Sequence, residues 1–309
     1  MNILISGSNG YIGGRLVEYL LRFKDFKLFL SSRKNFNQKN NNIRFLKINW
    51  QNSEDVLNSC KNMDVVIHLA SMNSKACSEY PEDAKIFNIN NTLKFFESAI
   101  KNKVKKFIFI SSIHVYGDQL IAKINENSLK NPISMYAYTK SVAEDKLLKL
   151  NKDVKTKLFI LRLSNVFGPP VNNFSDCWSL VFNDLSYQAI KTREIIMKSN
   201  GKQMRNFITM TDFCRSINHI IKFLDNKNEY NVFNIGGEKN IQILDVLNLI
   251  KDRSKIYVKD INVSFSKAFS NFNEKEFVYD ISRFISTGFK LEKDFVEELD
   301  ELLRFIENN

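Results

Sequence analysis

The sequence predicts a doubly wound α/β protein, a parallel sheet built by strand–helix alternation with a smaller C-terminal α/β lobe. Three observations carry this. Short apolar runs alternate with amphipathic stretches through the first 165 residues, as in successive βαβ units. A glycine-spaced turn follows the first run directly. The regular rhythm then loosens after Gly168-Pro169-Pro170. A chain of 309 residues has room for one large domain and a smaller one, expected at 1–165 and 166–309, with residues about 205–255 returning to the first domain.

Residues 3–6 form the first strand, and 11–23 a helix through the spacing of Ile12, Leu16, Tyr19, Leu20 and Phe23. Strands follow at 27–30 and 43–48, joined by an Asn-rich loop at 35–42. Residues 64–69 read as a buried strand, 84–101 as one long helix and 106–111 as a strand. A helix at 135–150 and a strand at 157–163 complete the first domain. Beyond it, 231–235 reads as a further strand and 241–251 as a helix, with a polar connection around 198–203.

Composition excludes several classes. No stretch approaches the roughly 18–20 apolar residues of a membrane span, so no membrane partner is expected. The opening residues lack a basic n-region and read as a strand, not a signal peptide. Cys60, Cys77, Cys177 and Cys214 lie too far apart for a metal motif or a disulfide framework, which points to reduced thiols in a cytoplasm and no metal site. The formal charge is +11, but the lysines are scattered among asparagines without a single stripe. That pattern argues against nucleic acid, while leaving a field that attracts anionic small molecules.

Two motifs carry chemistry. In Gly7-Ser8-Asn9-Gly10-Tyr11-Ile12-Gly13 the glycines permit a tight turn, close approach of backbone to a pyrophosphate, and close helix–strand packing. The helix that opens there offers amide N–H groups to phosphates, so the turn predicts dinucleotide binding. The second motif is Tyr136 and Lys140, four apart on one helical face, about two dozen residues after Ser111-Ser112 at a strand end. An isolated tyrosine near pKa 10 is a poor base at neutral pH. A neighbouring ammonium and an oxidised nicotinamide are expected to bring it down, with Ser112 hydrogen-bonding the substrate oxygen. Tyr138 has Val142 at the equivalent spacing and cannot take this role.

With these motifs the chain resembles the extended short-chain dehydrogenase/reductases, the nucleotide-sugar epimerases, dehydratases and reductases. The resemblance runs nearly end to end: Gly7–Gly13, His68-Leu69-Ala70, Asn88, Ser111 to Gly117, Tyr136 with Lys140, Arg162 to Pro169, Arg205 with Asp212, Asn234 to Gly236, and Tyr279 to Ser282. It implies a Rossmann-type domain and assigns catalysis to Ser112, Tyr136 and Lys140. It implies cofactor contacts at Gly7, Asn9, Gly10, Tyr11, Ile12, Gly13, Ser31, Ser32, Arg33, Asn49, Trp50, Leu69, Ala70, Ser71, Asn88, Ser111, Tyr136 and Lys140. Substrate contacts are implied at Ser112, His114, Tyr136, Asn165 and Arg205; a guanidinium suits a diphosphate because it binds phosphate oxygens in a fork. A homodimer through the helices at 84–101 and 135–150 is also implied.

Departures from the family pattern bear on the reaction. The end of strand two reads Ser31-Ser32-Arg33-Lys34, with no carboxylate for a ribose 2′-hydroxyl, which favours NADP(H) and leaves NAD(H) as the alternative. Asn49 stands where relatives carry an adenine-binding Asp, and its side-chain carbonyl can still accept from the adenine amine. The 4,6-dehydratases carry an Asp-Glu pair after the catalytic hydroxyl; here Ile113-His114 follows Ser112. Isoleucine transfers no proton, so dehydration is not expected. His68 reads as a packed strand-end residue. The expectation is a 4-keto nucleotide-sugar reductase using NADPH, with a 4-epimerase retaining NAD as the alternative.

Overall fold

The computed structural model describes residues 1–31, 41–117, 122–224, 230–270 and 277–309, with backbone only at 267–270. The chain forms two compact units. One comprises Met1–Gln119, Glu126–Leu163 and Ile217–Asn234, the other Leu120–Asn125, Ser164–Ser216 and Ile235–Asn309.

The first unit is organised on seven strands: β1 (Asn2–Ser6), β2 (Lys27–Ser31), β3 (Ile43–Leu46), β4 (Val65–His68), β5 (Lys106–Ser112), β6 (Lys157–Leu163) and β7 (Val232–Ile235). Their order is β7-β6-β5-β4-β1-β2-β3. The pairs from β3 to β6 are all parallel, with Ser6 opposite both Ser31 and His68. From β1 the chain steps outward one way to β3, then crosses to β4 and steps the other way. The carboxyl ends of β1 and β4 therefore flank a topological switch point, where open α/β sheets bind their ligands. All four residues of β4 are buried, because a parallel sheet is covered on both faces.

The helices are α1 (Tyr11–Leu20), α2 (Ser53–Ser59), α3 (Ser74–Glu79), α4 (Pro81–Lys85), α5 (Asn91–Lys101) and α6 (Met135–Leu150). Val66, Phe95, Phe96, Phe107, Phe109, Leu147 and Leu158 belong to one buried cluster that joins the sheet to α5 and α6. Two expected elements differ. The helix from Tyr11 stops at Leu20, where Leu21 caps it through its backbone N–H. The single helix expected at 84–101 is divided by a π-turn at Ile86–Asn90 between α4 and α5. Hydrophobic spacing does not register one wide turn; the reason for it is tertiary, since Asn88 at its centre is buried and hydrogen-bonded on several sides.

The second unit holds a three-stranded sheet in which Met204–Thr209 runs parallel to Asn165–Phe167 and antiparallel to Asn240–Gln242. Two further strand pairs join Glu194–Ser199 to Asn262–Ser270, and Ala122–Ile124 to Phe277–Tyr279. Its core includes Phe167, Phe182, Phe207, Ile250, Leu299 and Leu302. The helix expected at 241–251 runs over Ile243–Ser254, because Asn240–Gln242 is drawn into the sheet.

Candidate active site

The glycine turn has the backbone that the motif requires. Gly7 has φ +73°, and a Cβ there would lie 2.7 Å from the Ala70 nitrogen. A Cβ on Gly13 would lie 2.1 Å from the Gly7 carbonyl oxygen. Both positions are closed to a side chain by main chain that cannot swing aside. Gly10 caps α1 in an extended conformation, and no side chain caps this end of the helix. The result is a cradle of main chain at a helix start, suited to the pyrophosphate of a dinucleotide. Ser8 ties the turn to the end of β2 by donating from its hydroxyl to the Ser31 carbonyl at 3.2 Å. Ser32 and Arg33, on which the NADP(H) expectation rests, lie outside the described residues.

His68 links the glycine turn to the π-turn. The Ala70 N–H donates to Ser6 Oγ at 3.3 Å, and Ser6 Oγ lies 2.7 Å from His68 Nδ1. On the other side His68 Nε2 is 2.9 Å from Thr92 Oγ1, whose own proton goes to the Asn88 carbonyl at 2.8 Å. Since Thr92 spends its proton there, Nε2 carries the imidazole hydrogen and Nδ1 accepts from Ser6. Burial, with the Lys140 charge adding, pulls the imidazole down to about 3. His68 is thus a neutral connector of the core.

Asn88 accepts from the Met72 N–H at 2.8 Å and donates to Thr139 Oγ1 at 3.0 Å, fastening the segment after β4 to α6. Its amide is committed to protein groups. Asn49 is exposed, and its side-chain carbonyl accepts from the Gln51 N–H at 3.1 Å, leaving a second lone pair. Trp50 packs its ring against Phe87, Phe95 and His68. Leu69 and Ala70 stand against Gly7, and the Ser71 hydroxyl donates to the Met72 carbonyl.

The hydroxyl–tyrosine–lysine set is assembled by β5 and α6. Ser134 caps α6 by accepting from the Ala137 N–H at 3.1 Å, which places Tyr136 in the first turn and Lys140 one turn on. Ser112, at the end of β5, accepts from the His114 N–H at 3.2 Å and starts the short 3₁₀ turn Ile113–Tyr116. The Ser112 side chain acts on the Tyr136 phenol, favouring its ionised form. Lys140 is buried, donates to the Ile110 carbonyl at 2.9 Å, and holds its Nζ 4.9 Å from the centre of the Phe109 ring and 5.7 Å from that of Tyr136.

Burial dominates the ionisation of both Tyr136 and Lys140. It pushes the Tyr136 phenol up to about 12; the Cys77 sulfur beside it adds to the rise, and the Ser112 side chain opposes it. Lys140 is pulled down to about 8 by the same burial, against the influence of Cys77 and Glu144. Burial therefore dominates the phenol, and the opposing influence of Ser112 does not offset it. The Lys140 ammonium donates to the Ile110 carbonyl.

Behind this set lies a network that the sequence reading missed. Glu144 on α6 is fully buried; Arg162 on β6 grips it from Nη2 at 2.8 Å and from Nε at 3.2 Å to each oxygen. Glu144 is four residues beyond Lys140, and a carboxylate recurring on the buried stripe of a helix was the available signal.

Asn165 and Arg205 both lie in the second unit. Asn165 Nδ2 donates to the Asn206 carbonyl at 2.9 Å, and Arg205 Nη1 donates to the Met204 carbonyl at 3.0 Å. Asp212 accepts from the N–H groups of Glu292 and Lys293 and pairs with Arg215, anchoring the chain before the last helix. All four cysteines are buried. Among the described residues no group of three His, Cys, Asp or Glu could hold a metal ion, and no helix is long and apolar enough to cross a membrane.

A dinucleotide cradle at the switch point and a Ser–Tyr–Lys set on adjoining elements define a dinucleotide-dependent oxidoreductase-type site. The chain belongs to the NAD dependent epimerase/dehydratase family, whose model matches residues 3–236. The dTDP-D-glucose 4,6-dehydratase of Dictyostelium discoideum is 29% identical over 273 residues, spanning 79% of this chain and 60% of that protein. The UDP-glucose 4-epimerase of Vibrio cholerae is 29% identical over 234 residues, 72% of this chain and 70% of that one. The fold is shared with the UDP-glucuronic acid 4-epimerase of Bacillus cereus, solved with UDP-glucuronic acid and NAD, at a TM-score of 0.83 and 23% identity, covering 100% of this chain and 99% of that one.

Proposed function

We propose that the protein is a nucleotide-sugar 4-epimerase that retains NAD, with the dinucleotide bound by the first unit. The observation that carries this is the Ser112–Tyr136–Lys140 set followed by Ile113, buried at 5% exposure and unable to move a proton. One group that takes a proton from a hydroxyl and returns it is enough for epimerisation; elimination of water needs further acids. This separates the chain from its dehydratase relative despite their similar identity. The names of the Vibrio and Bacillus proteins favour epimerisation over the ketoreduction first expected, and the NAD in the Bacillus structure favours NAD over NADP(H).

In this reading the glycine turn, Ser31, Asn49 and the 69–71 segment hold the dinucleotide. Bound NAD⁺ supplies a reversible hydride acceptor and a positive charge. Tyr136 removes the proton from the C4 hydroxyl and gives it back after the keto-sugar presents its other face. Ser112 orients the sugar oxygen, and Lys140 supplies a cation beside the Tyr136 ring. The phenol that burial holds near 12 reaches the phenolate only with added positive charge close by, which couples the base to the oxidised cofactor. The buried thiols fit a reducing cytoplasm. Exposed Tyr80, Ile86 and Tyr138 on the α4–α6 face support a homodimer through these helices.

The test is to denature freshly purified protein, identify the released dinucleotide, and incubate native protein with UDP-glucose and UDP-glucuronic acid, separating the 4-epimers by chromatography. Retained NAD and interconversion of one epimer pair are expected. Protein that emerges empty, binds NADPH far more tightly than NADH and reduces 4-keto nucleotide-sugars would establish the reductase instead.

A further inference from the structure

Among the described residues the buried carboxylates outside the proposed chemistry are Glu144, Asp212 and Glu298, and of these Glu144 sits on α6, the helix that carries Tyr136 and Lys140. Glu144 is fully buried. Tyr136, Lys140 and Glu144 fall at i, i+4 and i+8 on one stripe of α6. Two of them are hydrogen-bonded to the end of β5: Lys140 donates to the Ile110 carbonyl at 2.9 Å, and Glu144 Oε1 accepts from the Ser111 hydroxyl at 2.5 Å. Helix and strand are thus connected by two rungs, one of them made by a proposed catalytic residue.

The Glu144 rung is itself held rigidly. Arg162 fixes both Glu144 oxygens, and its Nη1 donates to Tyr116 Oη at 2.7 Å and to the Glu126 carbonyl at 3.1 Å. Tyr116 Oη donates on to Asn234 Oδ1 at 2.7 Å, which ties in β7. Lys130 approaches Oε2 at 3.5 Å while pairing with Asp145 at 2.6 Å. A buried ion pair is a poor source of stability, because desolvation consumes most of its attraction and an apolar pair of the same shape packs as well. An apolar pair cannot direct a hydrogen bond to Ser111.

We propose that Glu144 is a positioning residue for the Ser112–Tyr136–Lys140 centre: anchored by Arg162, it sets the register of α6 on the end of β5 through Ser111. The proposal rests on the catalytic roles assigned above. It also has an electrostatic face. Lys140 is surrounded by Tyr136 and Glu144 on α6, Cys77 on α3, His68 on β4, and the uncharged Phe109 and Ile110 on β5. Glu144 in turn is faced by Arg162 on β6, Ser111 on β5 and Lys130 from the segment before α6, with Asp145 beside it. Removing the Glu144 charge takes a counter-charge from Lys140 and leaves Arg162 uncompensated, so Lys140 should lose its proton at lower pH.

Two variants test this. Ser111→Ala removes the rung and keeps the Glu144–Arg162 pair; Glu144→Gln removes the charge and keeps the shape. Ser111→Ala is expected to unfold within a few degrees of the parent, keep its KM for nucleotide-sugar, and lose about 10- to 100-fold in kcat, the scale of a small misplacement of reacting groups. Glu144→Gln should move the Lys140 titration down, read by NMR on protein carrying ¹³C-labelled lysine with Lys140→Arg for assignment. The NMR experiment needs no substrate. If the parent turned over no nucleotide-sugar and Lys140 still shifted, the functional assignment would fall and the positioning role stand. A folded Ser111→Ala protein with parental kcat, or a Lys140 titration indifferent to Glu144→Gln, would overturn the proposal.

Discussion

Gly13→Ala puts the glycine turn to a quantitative test. Gly13 is the third residue of α1, and alanine there would favour the helix by about 1 kcal/mol if packing were neutral. Packing is not neutral. The added Cβ would stand 2.1 Å from the Gly7 carbonyl oxygen and 2.8 Å from the Ser8 Cα. Both neighbours are backbone, and Gly7 is confined on its far side by Ala70. Relief requires α1 to lift from β1, an overpacking strain of about 2–3 kcal/mol, which exceeds the helix gain and leaves a net loss of about 1–2 kcal/mol. For a unit of this size that lowers the melting temperature by about 2–8 °C. The larger effect falls on the dinucleotide, because lifting α1 moves its first amides away from the pyrophosphate; affinity is expected to fall at least tenfold. Melting scans with and without added NAD, and calorimetric titration of stripped protein, read both quantities. A Gly13→Ala protein with unchanged melting temperature and unchanged NAD affinity would refute the geometry and the role of the turn together.

Tyr136→Phe keeps the ring and deletes the proton carrier: kcat should drop about 10²- to 10⁴-fold, while stability changes by no more than about 1 kcal/mol for the deleted hydroxyl. Steady-state assays and melting scans separate the two, and a kcat within tenfold of the parent would remove Tyr136 from the mechanism. His68, held neutral down to about 3 by burial, should make the fold acid-sensitive. The unfolded imidazole takes up a proton below about 6.5 and the folded one does not, so the penalty is absent above that pH and grows as pH falls from about 6.5 toward 3, by about 1.4 kcal/mol per unit. Urea unfolding from pH 7.5 to 5 should show this slope, and His68→Gln should flatten it; equal slopes would show that His68 is not the titrating group.

Most of the first unit was legible from local pattern. The strands at 2–6, 65–68, 106–112 and 157–163 are continuous apolar runs because both faces of the sheet are covered, and α6 covers the 135–150 expected of it. The π-turn was illegible, since one extra residue in a helical turn leaves hydrophobic spacing almost untouched and answers to the partners of Asn88. Ser112, Tyr136 and Lys140 could be named because their spacing is a property of one helix and one strand end. Their ionisation could not. An ammonium together with an oxidised nicotinamide was expected to lower the phenol; the burial that raises it and the Lys140 bond to Ile110 are set by tertiary neighbours.

The sequence by itself determined the doubly wound class, the position of the glycine turn and the identity of the hydroxyl, phenol and amine set, because each depends on side-chain type at short, regular spacing. Tertiary structure alone decided that Gly13 is closed by the Gly7 carbonyl, that His68 is a neutral connector, and that Glu144 meets Arg162 and Ser111 behind the site. Those facts arise where β1, β4, β5, β6 and α6 converge. Desolvation and hydrogen-bond direction are set there by neighbours distant in the chain, which no local pattern encodes.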